Sequence, residues 1–320
     1  MTGSPIHILI SEPIHEVGIE WLRDQGAVPV LMYEDQHWER VAGRAKAIIV
    51  RSFKIDSLVL EQLPSLEVVG KYGVGFNTID LDATASRGVK VTSVPGANAR
   101  AVAELAVTLL LAVARDLIVA DGLVRQDRFG DRFQLRFMKE LSDSRVGVIG
   151  AGRIGRRIAD ICRGGFQCAI AFYDPFVSLA DRGSSEFFDD VRELCVWADN
   201  LVIAAPLTKS TRGLIGAEEL VLLGSGGIVV ASSRGGIVDE SALAHAVKSG
   251  IIRGAGLDVY QDEPPAADNP LFGIPGIVLT PHVGGATDKS REQMAIDVTR
   301  NVWALLHGAE APLVGTEPWA

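Results

Sequence analysis

Three polar residues stand just past apolar, strand-length runs in the second half of this 320-residue chain. Arg234 follows Ile228–Ala231 in SSRGGIVDE, Glu263 follows Asp258 in GLDVYQDEPP, and His282 follows Ile277–Leu279 in LTPHVGGAT. Ligands collect at the carboxyl edge of a parallel sheet. An arginine, a carboxylate and a histidine at such edges suit redox chemistry on an anionic oxo compound. The guanidinium is a planar fork that can hold a carboxylate or polarise a carbonyl. An imidazole with an intrinsic pKa of about 6.5 gives or takes a proton near neutrality. Glu263, hydrogen-bonded to His282, would orient the ring and stabilise its charged form. Plainer readings stand beside these: Glu263 solvated in a proline-rich loop, Arg234 capping a helix end, His282 a surface histidine after Pro281. The other histidines (His7, His15, His37, His245, His307) have no such setting and read as structural or exposed.

A second constellation is the run VGVIGAGRIGRRIA, Val146–Ala159. Gly150, Gly152 and Gly155 hold G-x-G-x-x-G spacing after a β-branched stretch and before a helical pattern. The first glycine allows a tight turn, the second lets backbone approach a pyrophosphate, and the third lets the helix pack on the strand. Free N–H groups and the dipole of the helix N-terminus, opening with Arg153 and Ile154, then hold the phosphates. Asp174 ends the next apolar run, 19 residues past Gly155. Its carboxylate accepts hydrogen bonds from both ribose hydroxyls of NAD and repels the 2′-phosphate of NADP, so NAD is the expected cofactor.

These residues need strands to carry them. Candidate strands are Ile6–Ile10, Ala47–Val50, Glu67–Val69 and Lys90–Thr92, then Arg145–Ile149, Cys168–Phe172, Leu201–Ala204, Ile228–Ala231, Ala255–Leu257 and Ile277–Leu279. Their alternation with helical patterns predicts α/β architecture with parallel sheets covered on both faces. The glycine motif normally follows the first strand of its domain, yet some 145 residues precede it here. The chain is therefore expected to form a discontinuous domain, 1–98 plus 287–320, and a continuous cofactor domain, 99–286. One long helix, Ala99–Val124, and a second, Lys289–His307, would make the crossings.

Composition narrows the class. Hydrophobic residues make up 48% and charged residues 22%, ample for packed cores. A net charge of -9 with no basic patch gives no support for nucleic-acid binding. Ala103–Val113 is too short to span a bilayer. Three scattered cysteines, with no C-x-x-C, fit a reducing compartment, and the N-terminus lacks the pattern of a signal peptide. A cytoplasmic protein without a metal site is expected.

The chain resembles the D-isomer-specific 2-hydroxyacid dehydrogenases over about Ala47–Gly285. The resemblance rests on IIVRS, GKYGVGFNTIDLDA, NARAVAELAVTLLLAVAR, VGVIGAGRIG, AAPLTKSTRGLI, SSRGGIVDE, GAGLDVYQDEPP and TPHVGG, in order. It implies a Rossmann-type cofactor domain inserted in a flavodoxin-like substrate domain. It implies Arg234 as the substrate-orienting arginine, His282 as proton donor and acceptor, Glu263 as its partner, and Asp258 as the residue that meets the nicotinamide carboxamide. Backbone at Gly73, Val74 and Gly75 would cradle the substrate carboxylate. Pro206, Thr211, Ser232, His282 and Gly284 would line the cofactor site, and homodimers would form through helix Ala99–Val124. The similarity is greatest to the phosphoglycerate-type branch, in a short form without its regulatory domain, where Arg51 and Ser52 match an RS pair. Arg51, Lys71 and Arg100 would supply cations for a second anionic group. Two departures bear on the substrate: Ala231 replaces a usual Asn, and Ala204 a usual His. The resemblance implies NAD-dependent interconversion of a D-2-hydroxy acid and its 2-oxo acid, of the phosphoglycerate or the hydroxypyruvate/glyoxylate type; phosphite oxidation and a non-catalytic NAD sensor are the alternatives.

Overall fold

A computed structural model describes residues 5–35, 37–136 and 138–314. It forms two compact units, one built from the chain up to Asn98 and from Ala286 onward, the other from Ala99–Gly285. The first holds β1 (His7–Ile10), β2 (Val28–Leu31), β3 (Ala47–Val50), β4 (Val68–Lys71) and β5 (Lys90–Thr92). They form one parallel sheet in the order β2-β1-β3-β4-β5. The second holds β6 (Arg145–Ile149), β7 (Ala169–Tyr173), β8 (Glu186–Phe187), β9 (Asn200–Ile203), β10 (Ile228–Ala231), β11 (Gly254–Leu257) and β12 (Ile277–Leu279). Its parallel order is β12-β11-β10-β9-β6-β7-β8. The two orders are the flavodoxin-like and Rossmann-type windings, and each reverses direction at a point where ligands bind.

Both sheets are doubly covered, and alternation along a strand shows it. In the first unit Ile8, Ile10 and Ile49 pack with Met294, Ala295, Val298 and Val302 of helix Asp288–Leu306. Leu9, Ile48 and Val50 face the opposite core. In the second unit Val146 and Val148 pack against helices Ala99–Ala114 and Arg153–Phe166, while Ile149, Leu201 and Ile203 face the other side. The register follows: Val148 pairs with Phe172 on β7 and Val202 on β9.

The structure adds edge strands β2 and β8 and shifts the ends of several candidate strands by one or two residues. β2 carries Pro29, which an edge strand tolerates. The single helix expected over Ala99–Val124 is two, Ala99–Ala114 and Leu117–Arg125. Asp116 divides them, with φ 45 in the left-handed region. Its buried carboxylate takes Arg136 Nη2 at 2.6 Å and Arg253 Nη2 at 3.3 Å. Most of the first helix is buried in its own unit, whereas no residue of the second is buried. Apolar periodicity runs through both and hides the break.

Removing Asp116 would leave the two arginines without this shared, buried carboxylate. Asp116→Ala is expected to lower the unfolding free energy by about 3 kcal/mol. Urea unfolding checks this, and a midpoint equal to the parent's would contradict it. Asp116→Asn, which tolerates the left-handed turn, isolates the charge contribution.

Candidate active site

The second unit holds a histidine–carboxylate pair. His282 Nδ1 lies 2.6 Å from Glu263 Oε2. An ionised carboxylate only accepts, so Nδ1–H donates and Nε2 is left as the nitrogen for proton transfer. Glu263 Oε1 accepts from the Tyr260 N–H at 3.1 Å. Burial alone would raise the Glu263 pKa, but the His282 hydrogen bond and charge, with Tyr260 N–H and Arg234, outweigh it and hold the carboxyl below its ordinary value.

His282 itself has φ 51, an uncommon backbone state for a non-glycine residue. Asp258 secures it. That carboxylate, 1% exposed, accepts from Thr280 Oγ1 at 2.6 Å, Val283 N at 2.8 Å and Gly284 N at 2.7 Å. The Tyr260 hydroxyl donates to the Thr280 carbonyl at 2.9 Å, binding the loop after β11 to the loop after β12. Asp258 was expected to meet a nicotinamide carboxamide. Its observed bonds are internal, and they hold the histidine loop.

Arg234 leaves the end of β10, where the chain turns through Gly235. A Cβ at Gly235 would stand 1.7 Å from Tyr260 O, so only glycine lets the two loops touch there. The Arg234 side chain is half-buried, and Nη1 donates to the Ser233 carbonyl at 2.6 Å. Among the described residues no carboxylate forms an ion pair with it. Burial pushes its pKa down while the Glu263 charge pulls the other way. A desolvated cation without a paired anion is costly, and an anionic ligand would satisfy it.

The glycine loop fits a dinucleotide. Gly150 has φ 97, and a Cβ at Gly155 would stand 1.9 Å from Gly150 O, so strand and helix approach as closely as backbone allows. A Cβ at Gly152 would meet nothing, which leaves open the space where a phosphate would stand. No side chain caps helix Arg153–Phe166 there, so its first N–H groups, from Arg153 and Ile154 on, can serve an anion. The Asp174 carboxylate accepts from Ala151 N at 2.8 Å and Phe176 N at 3.0 Å, which fixes it beside the loop. Beyond β9, Thr211 Oγ1 donates to the Pro206 carbonyl at 2.7 Å, shaping that turn rather than standing free. Ser232 Oγ and its neighbour Ser233 Oγ are buried with no hydrogen-bond partner among the described residues. Burial pushes the Cys162 and Cys195 thiols up to about 12, far from thiolate chemistry.

In the first unit the N–H groups of Gly73, Val74 and Gly75 make no hydrogen bond to the described residues, so they can receive a carboxylate. The three candidate cations differ. Lys71 is buried and donates to the Arg51 carbonyl. Arg100 stands 3.7 Å from Glu104 in an exposed i,i+4 pair. Arg51 and Ser52 are exposed on the turn that leaves β3. Sequence reasoning did not single out Glu12, Tyr260 or Asp258's role in the loop. Glu12, like Asp174, stands just past an apolar strand, but its partners lie about 40 positions away and no local signal points to them; the tyrosine carried none either.

Residues 107–284 match the family model described as D-isomer specific 2-hydroxyacid dehydrogenase, NAD binding domain. D-3-phosphoglycerate dehydrogenase of Methanocaldococcus jannaschii is 35% identical over 318 residues, 98% of this chain but 60% of that protein. The chain thus spans about three-fifths of that relative's length. Glyoxylate reductase of Thermococcus gammatolerans is 35% identical over 95% of this chain and 94% of its own. Among solved structures, the NADPH-dependent glyoxylate/hydroxypyruvate reductase of Sinorhizobium meliloti in complex with citrate gives a TM-score of 0.86 at 29% identity, covering 98% of this chain and 99% of that one.

The two glycines make separable predictions. Gly155→Ala forces backbone apart and is expected to cost about 2 kcal/mol of stability. A Cβ at position 152 meets no protein atom within 4 Å, so Gly152→Val should keep the parent's melting temperature while NADH binding, read by fluorescence, weakens at least about tenfold. Unchanged NADH binding in Gly152→Val would remove the loop from the cofactor site.

Proposed function

The chain belongs to the D-isomer-specific 2-hydroxyacid dehydrogenase family, and on that premise we propose that it interconverts a D-2-hydroxy acid and its 2-oxo acid. The observation that carries this reading is the His282–Glu263 pair, 2.6 Å apart, on a unit whose half-buried Arg234 has no carboxylate ion-pair partner among the described residues. NAD(H), when bound, takes or supplies the hydride at the substrate's C2.

Arg234 orients the substrate by its carboxylate and polarises the C2 oxygen. In reduction, His282 gives its Nε2 proton to that oxygen, and the Glu263 charge stabilises the imidazolium beforehand. In oxidation, neutral His282 takes the hydroxyl proton at Nε2. Gly73–Gly75 receive the substrate carboxylate on their N–H groups, and Arg51 with Ser52 meets the far end of the molecule. Asp258 and Gly284 belong to the nicotinamide side as well as to the histidine loop; Pro206, Thr211 and Ser232 line the cofactor. The substrate is of the phosphoglycerate type or the hydroxypyruvate/glyoxylate type. The Asp174 carboxylate supports NAD over NADP, although the Sinorhizobium meliloti reductase is described as NADPH-dependent.

A homodimer is also proposed. Helix Ala99–Ala114 is committed to its own core, so the contact is placed on the segment after it, where Leu117, Ile118, Val124, Phe129 and Phe133 are each exposed. No helix among the described residues is long and apolar enough to cross a membrane. A cytoplasmic location agrees with three free, buried cysteines.

His282→Ala and Arg234→Ala should each cut NADH-linked reduction of hydroxypyruvate, glyoxylate or phosphohydroxypyruvate at least about a hundredfold, with NADH affinity nearly unchanged. Parent-level turnover in either variant would refute that residue's role. Glu263 keeps its charge to unusually low pH, and that charge is lost only as pH falls through its lowered pKa. Glu263→Gln deletes it at every pH, so hydroxypyruvate turnover should fall at least about tenfold while NADH affinity holds. Parent-level turnover would separate Glu263 from the proton step.

A further inference from the structure

Glu12 lies just past β1, and β1 neighbours β3 in the sheet, so its side chain meets the turn that leaves β3. One carboxylate gathers three consecutive amides of that turn. Oε2 accepts from Arg51 N at 2.7 Å and Phe53 N at 3.2 Å, and Ser52 N reaches Oε1 at 2.8 Å and Oε2 at 3.0 Å. Ser11 Oγ adds a fourth donor at 2.9 Å. From the next strand, Lys71 Nζ donates to the Arg51 carbonyl, and the Arg51 guanidinium lies 5.8 Å from the centre of the Tyr72 ring. Arg51 Nη1 touches the Pro13 carbonyl at 3.3 Å. The turn is thus held by its N–H groups, its carbonyl and its side chain, although Arg51 and Ser52 are exposed.

Burial, the largest single influence, would raise the Glu12 pKa, but the Arg51, Ser52 and Phe53 amides and the Ser11 hydroxyl together outweigh it and hold it below its ordinary value. The carboxylate is therefore ionised and acceptor-only, which suits a cluster of N–H donors. Exposed turns are ordinarily mobile, and an arginine on a mobile turn loses much freedom when it binds an anion. Fixing the turn beforehand removes part of that loss.

We propose that Glu12 is a positioning residue that presets the Arg51–Phe53 turn, so that Arg51 meets the distal anionic group of a doubly anionic 2-oxo or 2-hydroxy acid. Lys71 completes the clamp from the carbonyl side. This rests on the substrate-binding reading of Arg51, and the test separates the two. The full chain is compared with Glu12→Gln and Arg51→Ala by hydrogen exchange at residues 51–53 and by steady-state reduction of phosphohydroxypyruvate and of hydroxypyruvate, which lacks the second anion.

Glu12→Gln should speed amide exchange at 51–53 about tenfold without substrate. It should raise KM for phosphohydroxypyruvate about tenfold while kcat, and KM for hydroxypyruvate, stay within about twofold. Should Glu12→Gln fold poorly, Glu12→Asp, one methylene shorter, should move exchange and KM the same way. Unchanged exchange overturns the clamp. Faster exchange with unchanged KM for phosphohydroxypyruvate, in a protein where Arg51→Ala raises it, overturns the role of Glu12 in recognition and leaves Arg51 standing. Unchanged KM in Arg51→Ala overturns the reading of Arg51, while the exchange data still decide the clamp.

Discussion

A parallel sheet buried on both faces has no room for polar side chains along its strands, so they can stand only at strand ends. That constraint organises both units. In β1, β3, β6, β9 and β10 nearly every residue is buried and apolar. The chemistry-bearing groups follow directly: Glu12 after β1, Arg51 after β3, the glycine loop after β6, Asp174 after β7, Arg234 after β10, and Asp258 with Glu263 after β11. Each is held on a short loop whose root cannot move without disturbing a packed core.

Within the second unit the loops lean on one another rather than on solvent. Asp258 is the centre of this arrangement. It gives three hydrogen bonds' worth of acceptance to the segment Thr280–Gly284, and in return a residue with an uncommon φ, His282, is kept opposite Glu263. Strained backbone at functional positions persists only where surrounding contacts over-determine it. The contact between Gly235 and Tyr260 extends the same logic to the arginine loop. Arg234, Glu263 and His282 come from three different strand ends, and their loops are cross-braced by Tyr260 and Asp258. In the other unit Glu12 does for the Arg51 turn what Asp258 does for the histidine loop.

Much of this was legible in the sequence. Continuous apolar runs located ten of the strands because buried parallel strands have few other compositions. Gly150, Gly152 and Gly155 read clearly because each answers a separate steric demand. The pairing of His282 with Glu263 was readable as a possibility, since both follow strands of one series, but residue types alone left solvated alternatives open. Other features were hidden for physical reasons. Edge strand β8 is two residues long, too short for a period. The break at Asp116 interrupts backbone without interrupting apolar periodicity. Lys71 reads in the sequence as a cation for a second anionic group, whereas its ammonium is turned onto the Arg51 carbonyl, a choice decided by neighbours distant in sequence. Glu12 reaches residues about 40 positions away, and no local pattern reports such a contact.

The central claim is that hydride and proton are delivered to one carbon–oxygen bond with D stereochemistry, the proton coming from His282. The most direct measurement follows the label: the protein is given NADH deuterated at the transferable C4 position and a 2-oxo acid, and the product is examined by NMR and chiral separation. Deuterium at C2 of a D-2-hydroxy acid is expected, formed at least about a hundredfold more slowly by His282→Ala. Product of L configuration, or NADH bound with no deuterium reaching any 2-oxo acid, would contradict it.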